Sequence, residues 1–243
     1  MISFKIKLAG TVILVGANYP STKDFCREYL TDKPADISVN VDISDIIAEE
    51  VKTFAEENRN VKFPPQYLET LALYRKIAKE LASYGIILFH GSALSMDGEA
   101  YIFTAKSGIG KSTHASVWRR VFADRVVMIN DDKPLIAVKD GEITVYGTPW
   151  CGKHNLGNNI SVPLKAICIL ERGEDNIIKK ISPNEALGTI FAQTYRFNDT
   201  QGMKNVLYCV DKIIKLTPTY ILRCNMNDEA AQVAYEGMKG EER

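Results

Sequence analysis

The sequence has no excess of charge of either sign and no long apolar run. Lysine plus arginine and aspartate plus glutamate each number 30 in the 243 residues, so the formal net charge is zero. A balanced composition lacks the basic footprint of a nucleic-acid-binding protein. The apolar runs are too short to span a membrane. Residues 1–7 alternate like a strand and lack the apolar segment of a signal peptide. We therefore expect a cytoplasmic protein that binds neither nucleic acid nor membranes.

Paired cysteines are also missing. The cysteines are odd in number, scattered and never spaced as C-x-x-C, at positions Cys26, Cys151, Cys168, Cys209 and Cys224. This pattern argues against a zinc site or a disulfide framework and is typical of reduced thiols. Cys168 lies in an apolar run and is expected in the core. Cys151 has no acid-paired histidine nearby beyond His154, so a nucleophilic role is not expected.

What the sequence does contain is a short apolar run followed by a glycine-rich turn, over residues 101–112. The pattern predicts a strand that leads into a phosphate-binding loop, in which Gly108 and Gly110 let successive N–H groups point at an anion. Lys111 would supply positive charge for the outer phosphates, and the Ser112 hydroxyl would coordinate Mg²⁺. The residues expected to contact the nucleotide are Ser107, Gly108, Ile109, Gly110, Lys111, Ser112 and Thr113.

The loop departs from the full motif at one position. Ala105 stands where the motif has glycine, six residues before the lysine. Alanine does not readily adopt a positive φ, so the start of the loop is expected to differ slightly. Residues 113–121 are predicted to form a helix whose N-terminal dipole favours an anion at the same site. A surface loop without a ligand is the alternative interpretation.

Two adjacent carboxylates, Asp131 and Asp132, follow the apolar run Val126–Ile129. An acid at the end of a strand beside the phosphate-loop strand is a typical metal ligand in nucleotide-binding proteins. Because side chains alternate along an extended chain, one carboxylate can face the metal and the other the acceptor. Residues 130–134 also fit a simple polar turn. His90 ends another apolar run and could reach Asp131, although a lone histidine is more often structural.

A third polar segment, residues 146–155, interrupts the strand pattern with turn-forming residues, an aromatic ring and a lysine. Such segments often form active-site loops at the edge of a sheet. Lys153 is a catalytic candidate because it could stabilise charge on the transferring phosphoryl group, and Trp150 could line the acceptor or base pocket. A plain turn with Trp150 packed in the core explains the pattern equally well.

The distribution of apolar residues predicts an α/β protein with α+β character and a mixed, twisted sheet. A boundary near residues 63–65 separates a small N-terminal α+β module, residues 1–62, from the catalytic domain, residues 63–243. In the module we predict a hairpin over 3–16, a helix over 23–30, a strand over 37–41 and a surface helix or connection over 49–60. In the domain we predict helices over 67–84, 183–191, 204–215 and 228–238, and strands over 86–89, 100–104, 126–129, 135–138, 143–146, 164–170 and 219–223.

Three elements together carry a family resemblance. His90-Gly91, the loop over 107–112 and the strand ending in Asp131-Asp132 resemble, in order and spacing, the catalytic domain of HPr kinase/phosphorylase. The chain is more similar still to the shorter HPr-kinase-like proteins of bacteria, whose core resembles that of phosphoenolpyruvate carboxykinase. The resemblance covers roughly residues 86–170. One departure is that residues 147–153 stand where the family has a glutamate and an Arg-Gly pair tied to the reverse phosphorolysis.

The resemblance implies a role for each matched residue. Lys111 would bind the β- and γ-phosphates, and Ser112 and Asp132 would hold Mg²⁺. Asp131, oriented by His90, would accept the proton of the acceptor hydroxyl.

The resemblance also implies a kinase that uses ATP and Mg²⁺ to phosphorylate a serine on a small protein or peptide. Some shorter relatives accompany peptide-maturation systems, which makes a co-encoded precursor peptide a candidate partner. Two alternatives stay open: a kinase acting on a free amino acid or sugar, and a nucleotide-binding regulator without catalysis. The sequence leaves phosphorolysis, base preference and oligomerisation open.

Overall fold

The computed structural model describes residues 1–57 and 62–240 and divides into two compact units, Met1–Tyr84 and Gly85–Arg243. The first unit has a three-stranded sheet in which β1 and β2 are antiparallel and β2 and β3 are parallel. Its strands are β1 (Ile2–Leu8), β2 (Thr11–Ala17) and β3 (Ile37–Asn40). Its helices are α1 (Pro20–Phe25), α2 (Ile43–Glu57) and α3 (Pro65–Ala82).

The predicted hairpin, the strand near residue 39 and the helix over 67–84 are confirmed in this unit. The predicted helix over 23–30 is wrong in its bounds. It begins at Pro20, which favours a first helical turn, and a 3₁₀ turn over Arg27–Tyr29 follows it. The end of the predicted element over 49–60 lies outside the described residues. The compact units divide after α3, whereas the predicted domain boundary lies before it, because α3 packs on α1, α2 and β3.

A buried carboxylate ties α3 to the chain that leads into α1. Glu69 is fully buried and accepts hydrogen bonds from the Asn18 backbone and side-chain amides (2.6 and 2.9 Å) and from the Tyr19 N–H (3.1 Å). The Thr22 hydroxyl also donates to it. Neutral donors therefore satisfy this carboxylate, as a buried charge requires.

The second unit contains a nine-stranded sheet. Seven of its strands follow the order β4-β8-β9-β10-β6-β5-β7, and in addition β12 pairs with β10 and β11 pairs with β12. Its strands are β4 (Ile86–Leu88), β5 (Ser92–Met96), β6 (Glu99–Thr104), β7 (Val126–Asn130), β8 (Leu135–Lys139), β9 (Glu142–Tyr146), β10 (Ser161–Arg172), β11 (Ile177–Ile181) and β12 (Thr219–Cys224). Its helices are α4 (Lys111–Phe122), α5 (Pro183–Ala192), α6 (Thr200–Leu216) and α7 (Glu229–Met238).

The long strand β10 curls this sheet. Its first residues pair antiparallel with β9, while the rest pairs parallel with β6 and β12, and the register shifts between Leu164 and Ala166. Such an irregularity bends a strand, which lets one strand belong to two differently oriented halves of a sheet. The predicted α/β class with a mixed, twisted sheet is confirmed, as are the predicted strands and helices of this region.

The prediction that the strand before Asp131 lies beside the phosphate-loop strand is wrong. The unpredicted strand β5 lies between β6 and β7 and is antiparallel to both. The end of β6, the start of β5 and the end of β7 therefore meet at one edge of the sheet. Asp97-Gly98, which joins β5 to β6 with positive φ at both residues, is the sequence signal that could have revealed this hairpin.

Helix α4 is fixed by an aromatic cluster. Trp118 is fully buried, with ring centroids 5.1 Å from Phe103, 5.3 Å from Tyr101 and 5.2 Å from Phe122. Its indole N–H donates to His114 Nε2 at 3.1 Å, and burial lowers the pKa of His114 to about 4. His114 is therefore a neutral packing residue, and the cluster holds the start of α4 at the end of β6.

None of the helices formed by the described residues is long and apolar enough to span a membrane.

Candidate functional site

The loop between β6 and α4 has the backbone that its glycines predict. Gly108 and Gly110 have φ of 80° and 126°, a conformation in which a side chain would be strained. Gly110 precedes the first residue of α4, so the free N–H groups of the helix face the loop. Ala105 is not among the residues with positive φ in the described chain, and it is buried. Alanine at this position therefore does not strain the loop.

Lys111 is a partly buried cation without a carboxylate in contact. Its Nζ donates to the Ala105 carbonyl at 3.3 Å, and no acid of the described chain lies within ion-pair distance of it. Burial lowers the pKa of Lys111, and the charge of Asp132 partly offsets that effect. A lysine in this state gains from an anionic ligand, which would replace the hydration it has lost.

Asp131 is buried, with 4% of its surface exposed. Its Oδ1 accepts the Gly152 N–H at 2.6 Å, whereas its Oδ2 is buried without a hydrogen-bond partner. A side chain at Gly152 would lie 3.2 Å from Oδ2, so glycine permits this close approach. A buried carboxylate oxygen without a partner is costly unless a proton donor or a cation meets it in the functional state.

Asp132 lies between His90 and Lys133. Its Oδ1 is 3.3 Å from His90 Nε2, and its Oδ2 is 2.9 Å from Lys133 Nζ. Burial alone would raise the pKa of Asp132, but His90 and Lys133 outweigh it and hold that pKa well below its usual range. The expectation that His90 orients Asp131 is therefore wrong in its geometry. Since adjacent side chains point apart, His90 at this edge can meet only one of the pair, and it meets Asp132.

Asn130 organises the turn that carries both acids. Its Oδ1 accepts the N–H groups of Asp132 (2.9 Å) and Lys133 (2.6 Å), and its Nδ2 donates to the Thr148 carbonyl and hydroxyl (3.1 and 3.0 Å). Sequence reasoning missed this residue. The signal was present, because asparagine at the start of a turn commonly bonds the backbone two residues later.

The segment over 147–157 approaches the acids through its backbone. Trp150 is buried, in line with a packing role, and it lines neither of the cavities described below. Lys153 is exposed and lines neither cavity. The neighbouring His154 lines one of the two cavities, although the sequence analysis did not propose it as a site residue.

Two cavities flank the start of α4. The larger, about 420 Å³, opens beside the glycines of the loop and has mostly apolar walls, among them Ile109, Val117, Leu170 and Met226. The smaller, about 310 Å³, lies on another face of α4 and is the more polar of the two. Its walls include Ser112, Ser116, Arg119, Asp131 and His154.

A metal cluster made of protein ligands alone is not present in the described residues. None of their histidines, cysteines, aspartates and glutamates form a group of three or more that could hold an ion.

The fold and this edge of the sheet define an α/β protein whose glycine-rich loop and paired acids lie together. The chain belongs to the family described as SynChlorMet cassette protein ScmC, whose family model matches residues 58–230. No curated protein matches the chain. Among solved structures, the HPr(Ser) kinase/phosphatase from Coxiella burnetii matches 63% of this chain and 99% of that chain, with 10% identity and a TM-score of 0.34. That similarity is too low to transfer an activity.

Proposed function

We propose that this protein is a Mg²⁺-dependent kinase that transfers the γ-phosphoryl group of ATP to a serine hydroxyl on a small protein or peptide. One observation carries the proposal: Lys111, a partly buried lysine in a glycine-rich loop, lies within electrostatic reach of Asp132, which follows β7. Phosphoryl transfer depends mainly on positioning and charge stabilisation, and this edge of the sheet offers both.

The residues present fit ATP. The loop glycines leave backbone N–H groups free for phosphate oxygens, and Lys111 supplies an unpaired charge. The cavity of about 420 Å³ adjoins the loop and has the size and apolar walls typical of a small-ligand site. We assign the nucleoside to this cavity, with Ile109 and Val117 against it.

The residues present also fit Mg²⁺, which binds through one or two protein oxygens together with phosphate oxygens. Ser112 and Asp132 would hold it, since the Asp132 carboxylate stays ionised beside His90 and keeps lone pairs free. The bound ion would neutralise charge that develops on the transferring group. His90 and Lys133 are positioning residues for Asp132.

Asp131 would act as the general base. Gly152 fixes one of its oxygens and leaves Oδ2 for the acceptor hydroxyl. In the transfer, the serine oxygen bonds to the γ-phosphorus, the bond to the β,γ-bridging oxygen breaks, and ADP leaves with that electron pair. The serine proton passes to Asp131, a contribution typically worth about 10²- to 10⁴-fold in rate. Lys111 would stabilise the negative charge on the phosphates.

The acceptor is best sought among co-encoded products, because the matched family is described as a cassette protein. The experiment incubates the protein with Mg²⁺ and γ-labelled ATP together with small proteins and peptides encoded beside its gene. We expect label on a serine. Label on a free amino acid or sugar instead would contradict the peptide acceptor, and ATP bound but never consumed would contradict the kinase.

Variants separate binding from transfer. Asp131→Asn should lower transfer about 10²-fold or more while nucleotide affinity stays within about twofold. Lys111→Ala should weaken nucleotide binding as well. Asp140→Asn and Lys139→Ala, on an exposed turn away from the loop, are matched controls that should change neither. Equal loss of binding and transfer in Asp131→Asn would contradict its role as the base.

A further inference from the structure

The smaller cavity beside α4 has a polar wall with a regular spacing. Ser112, Ser116 and Arg119 are four and three residues apart, so they share one face of the helix. At 1.5 Å per residue, the first and last are separated by about 10 Å along the helix axis. The wall of the cavity therefore extends along this face of the helix, from Ser112 at the end of the loop to Arg119.

Arg119 differs from the other arginines near it. Arg120 pairs with Asp228, and Arg125 pairs with Asp97 at 2.6 Å. Arg119 is exposed and pairs with no acid of the described residues. A guanidinium group presents a planar set of donors that matches a carboxylate, so an unpaired arginine in a cavity wall favours a carboxylate ligand.

Asp131 lies in the wall of the same cavity. It is buried, and its Oδ2 has no hydrogen-bond partner. A hydroxyl group of a ligand would satisfy this oxygen. The cavity thus offers an acceptor for a hydroxyl group and a donor for a carboxylate group.

We propose that this cavity is the acceptor site and takes an extended peptide segment, whose serine hydroxyl meets Asp131 and whose carboxylate pairs with Arg119. This inference rests on the proposed kinase function and adds the substrate class. The serine must lie at the phosphate-loop end of the cavity, where Ser112 is, and Arg119 lies about 10 Å further along the helix. Because an extended chain rises about 3.3 Å per residue, we expect the carboxylate about three residues from the serine. A free amino acid does not fit, because its hydroxyl and carboxylate are too close together to occupy both ends.

The carboxylate has two chemical sources, an acidic side chain or the C-terminus of the peptide. Both present the same group to Arg119. Two sets of peptides distinguish these sources. Each peptide of the first set has one serine, an amidated C-terminus, and glutamate, glutamine or lysine three residues before or after the serine. A second set has no acidic side chain and ends three residues after the serine, either as the free acid or as the amide.

The experiment compares kcat/KM for these peptides with the wild type, Arg119→Gln and Arg119→Glu. For the wild type we expect the carboxylate peptide of one set to be preferred over its neutral partner by roughly three- to tenfold. Arg119→Gln should abolish that preference, and Arg119→Glu should favour the lysine peptide. Arg120→Gln is the matched control and should leave the preference unchanged, because Arg120 does not line the cavity.

Peptide affinity is measured in parallel by fluorescence anisotropy with Mg²⁺ and a non-hydrolysable ATP analogue, so that the comparison does not depend on turnover. Equal affinity for charged and neutral peptides, or a preference that survives in Arg119→Gln, would overturn the acceptor site. In that case, phosphorylation of the peptides would still support the kinase. Failure to bind Mg²⁺ and ATP would instead overturn the proposed function.

Discussion

Replacing Asn130 by aspartate removes the hydrogen-bond donors of one buried amide and keeps its size. In the variant, the side-chain oxygen can still accept the backbone N–H groups of Asp132 and Lys133. The contacts to the Thr148 and Trp150 carbonyls are lost, because a carboxylate cannot donate to them, whereas the Thr148 hydroxyl can turn and donate to the carboxylate. The change therefore tests whether Asn130 joins the acid turn to the segment that follows β9.

The expected loss of stability follows from the buried polar groups that lose their hydrogen-bond partners. Each lost hydrogen bond costs about 1 kcal/mol, so the two contacts to the Thr148 and Trp150 carbonyls account for about 2 kcal/mol. The Thr148 carbonyl then faces a carboxylate where burial excludes water, which adds about 1–2 kcal/mol. We expect Asn130→Asp to lower the free energy of unfolding by about 3–4 kcal/mol at pH 7.

Urea unfolding followed by tryptophan fluorescence measures this loss. The chain has two tryptophans, Trp118 and Trp150, and both are buried in the unit Gly85–Arg243 that contains Asn130. At a slope of about 2 kcal/mol per molar urea, the midpoint should fall by roughly 1.5–2 M. Asn158→Asp is the matched control. Its amide donates to the Met128 carbonyl at 2.8 Å, but the residue is exposed, so the loss should stay under about 1 kcal/mol. Equal midpoints for Asn130→Asp and the wild type would refute the reasoning.

Two further predictions concern the acids Glu69 and Asp132. Glu69→Gln removes one of two oxygens that accept four hydrogen bonds and should destabilise the N-terminal unit by about 1–3 kcal/mol, measured by hydrogen exchange in β1 and β2. The lowered pKa of Asp132 implies stability that is present above about pH 4 and is lost as the pH falls. Asp132→Asn should therefore be less stable than the wild type at pH 7, and the difference in urea midpoint should shrink toward pH 3. A difference that grows with acid would contradict the assignment.

Much of the fold could be predicted because its signals are local. The apolar spacing in α3 and the glycine pattern before α4 are properties of short segments. The strand order was harder to predict, because β5 is short and carries two serines. Only the Asp97-Gly98 turn marks it as half of a hairpin. Placing β7 next to β6 followed from overlooking that turn.

The candidate site likewise has features that could be predicted from the sequence and features that could not. The residue types and spacing of the loop predict an anion site without any knowledge of the fold. The pairing of His90 with Asp132 instead of Asp131 depends on which way two adjacent side chains turn at the end of β7, and an Asn130 side chain sets that turn. Hydrogen bonds between segments about 20 to 40 residues apart leave no periodic signal in a sequence.

The two cavities lie on different faces of α4. One face of the helix presents His114 and Val117 toward an apolar cavity, and another presents Ser112, Ser116 and Arg119 toward a polar one. Because both cavities adjoin the start of α4, the proposed kinase would receive its nucleotide and its hydroxyl acceptor from different sides of one helix. A shared entrance would force the two substrates to compete, whereas separate cavities allow both to bind before transfer. The aromatic contacts that fix Trp118 hold α4 in place, and in the proposed kinase they would thereby set the direction from which each substrate approaches.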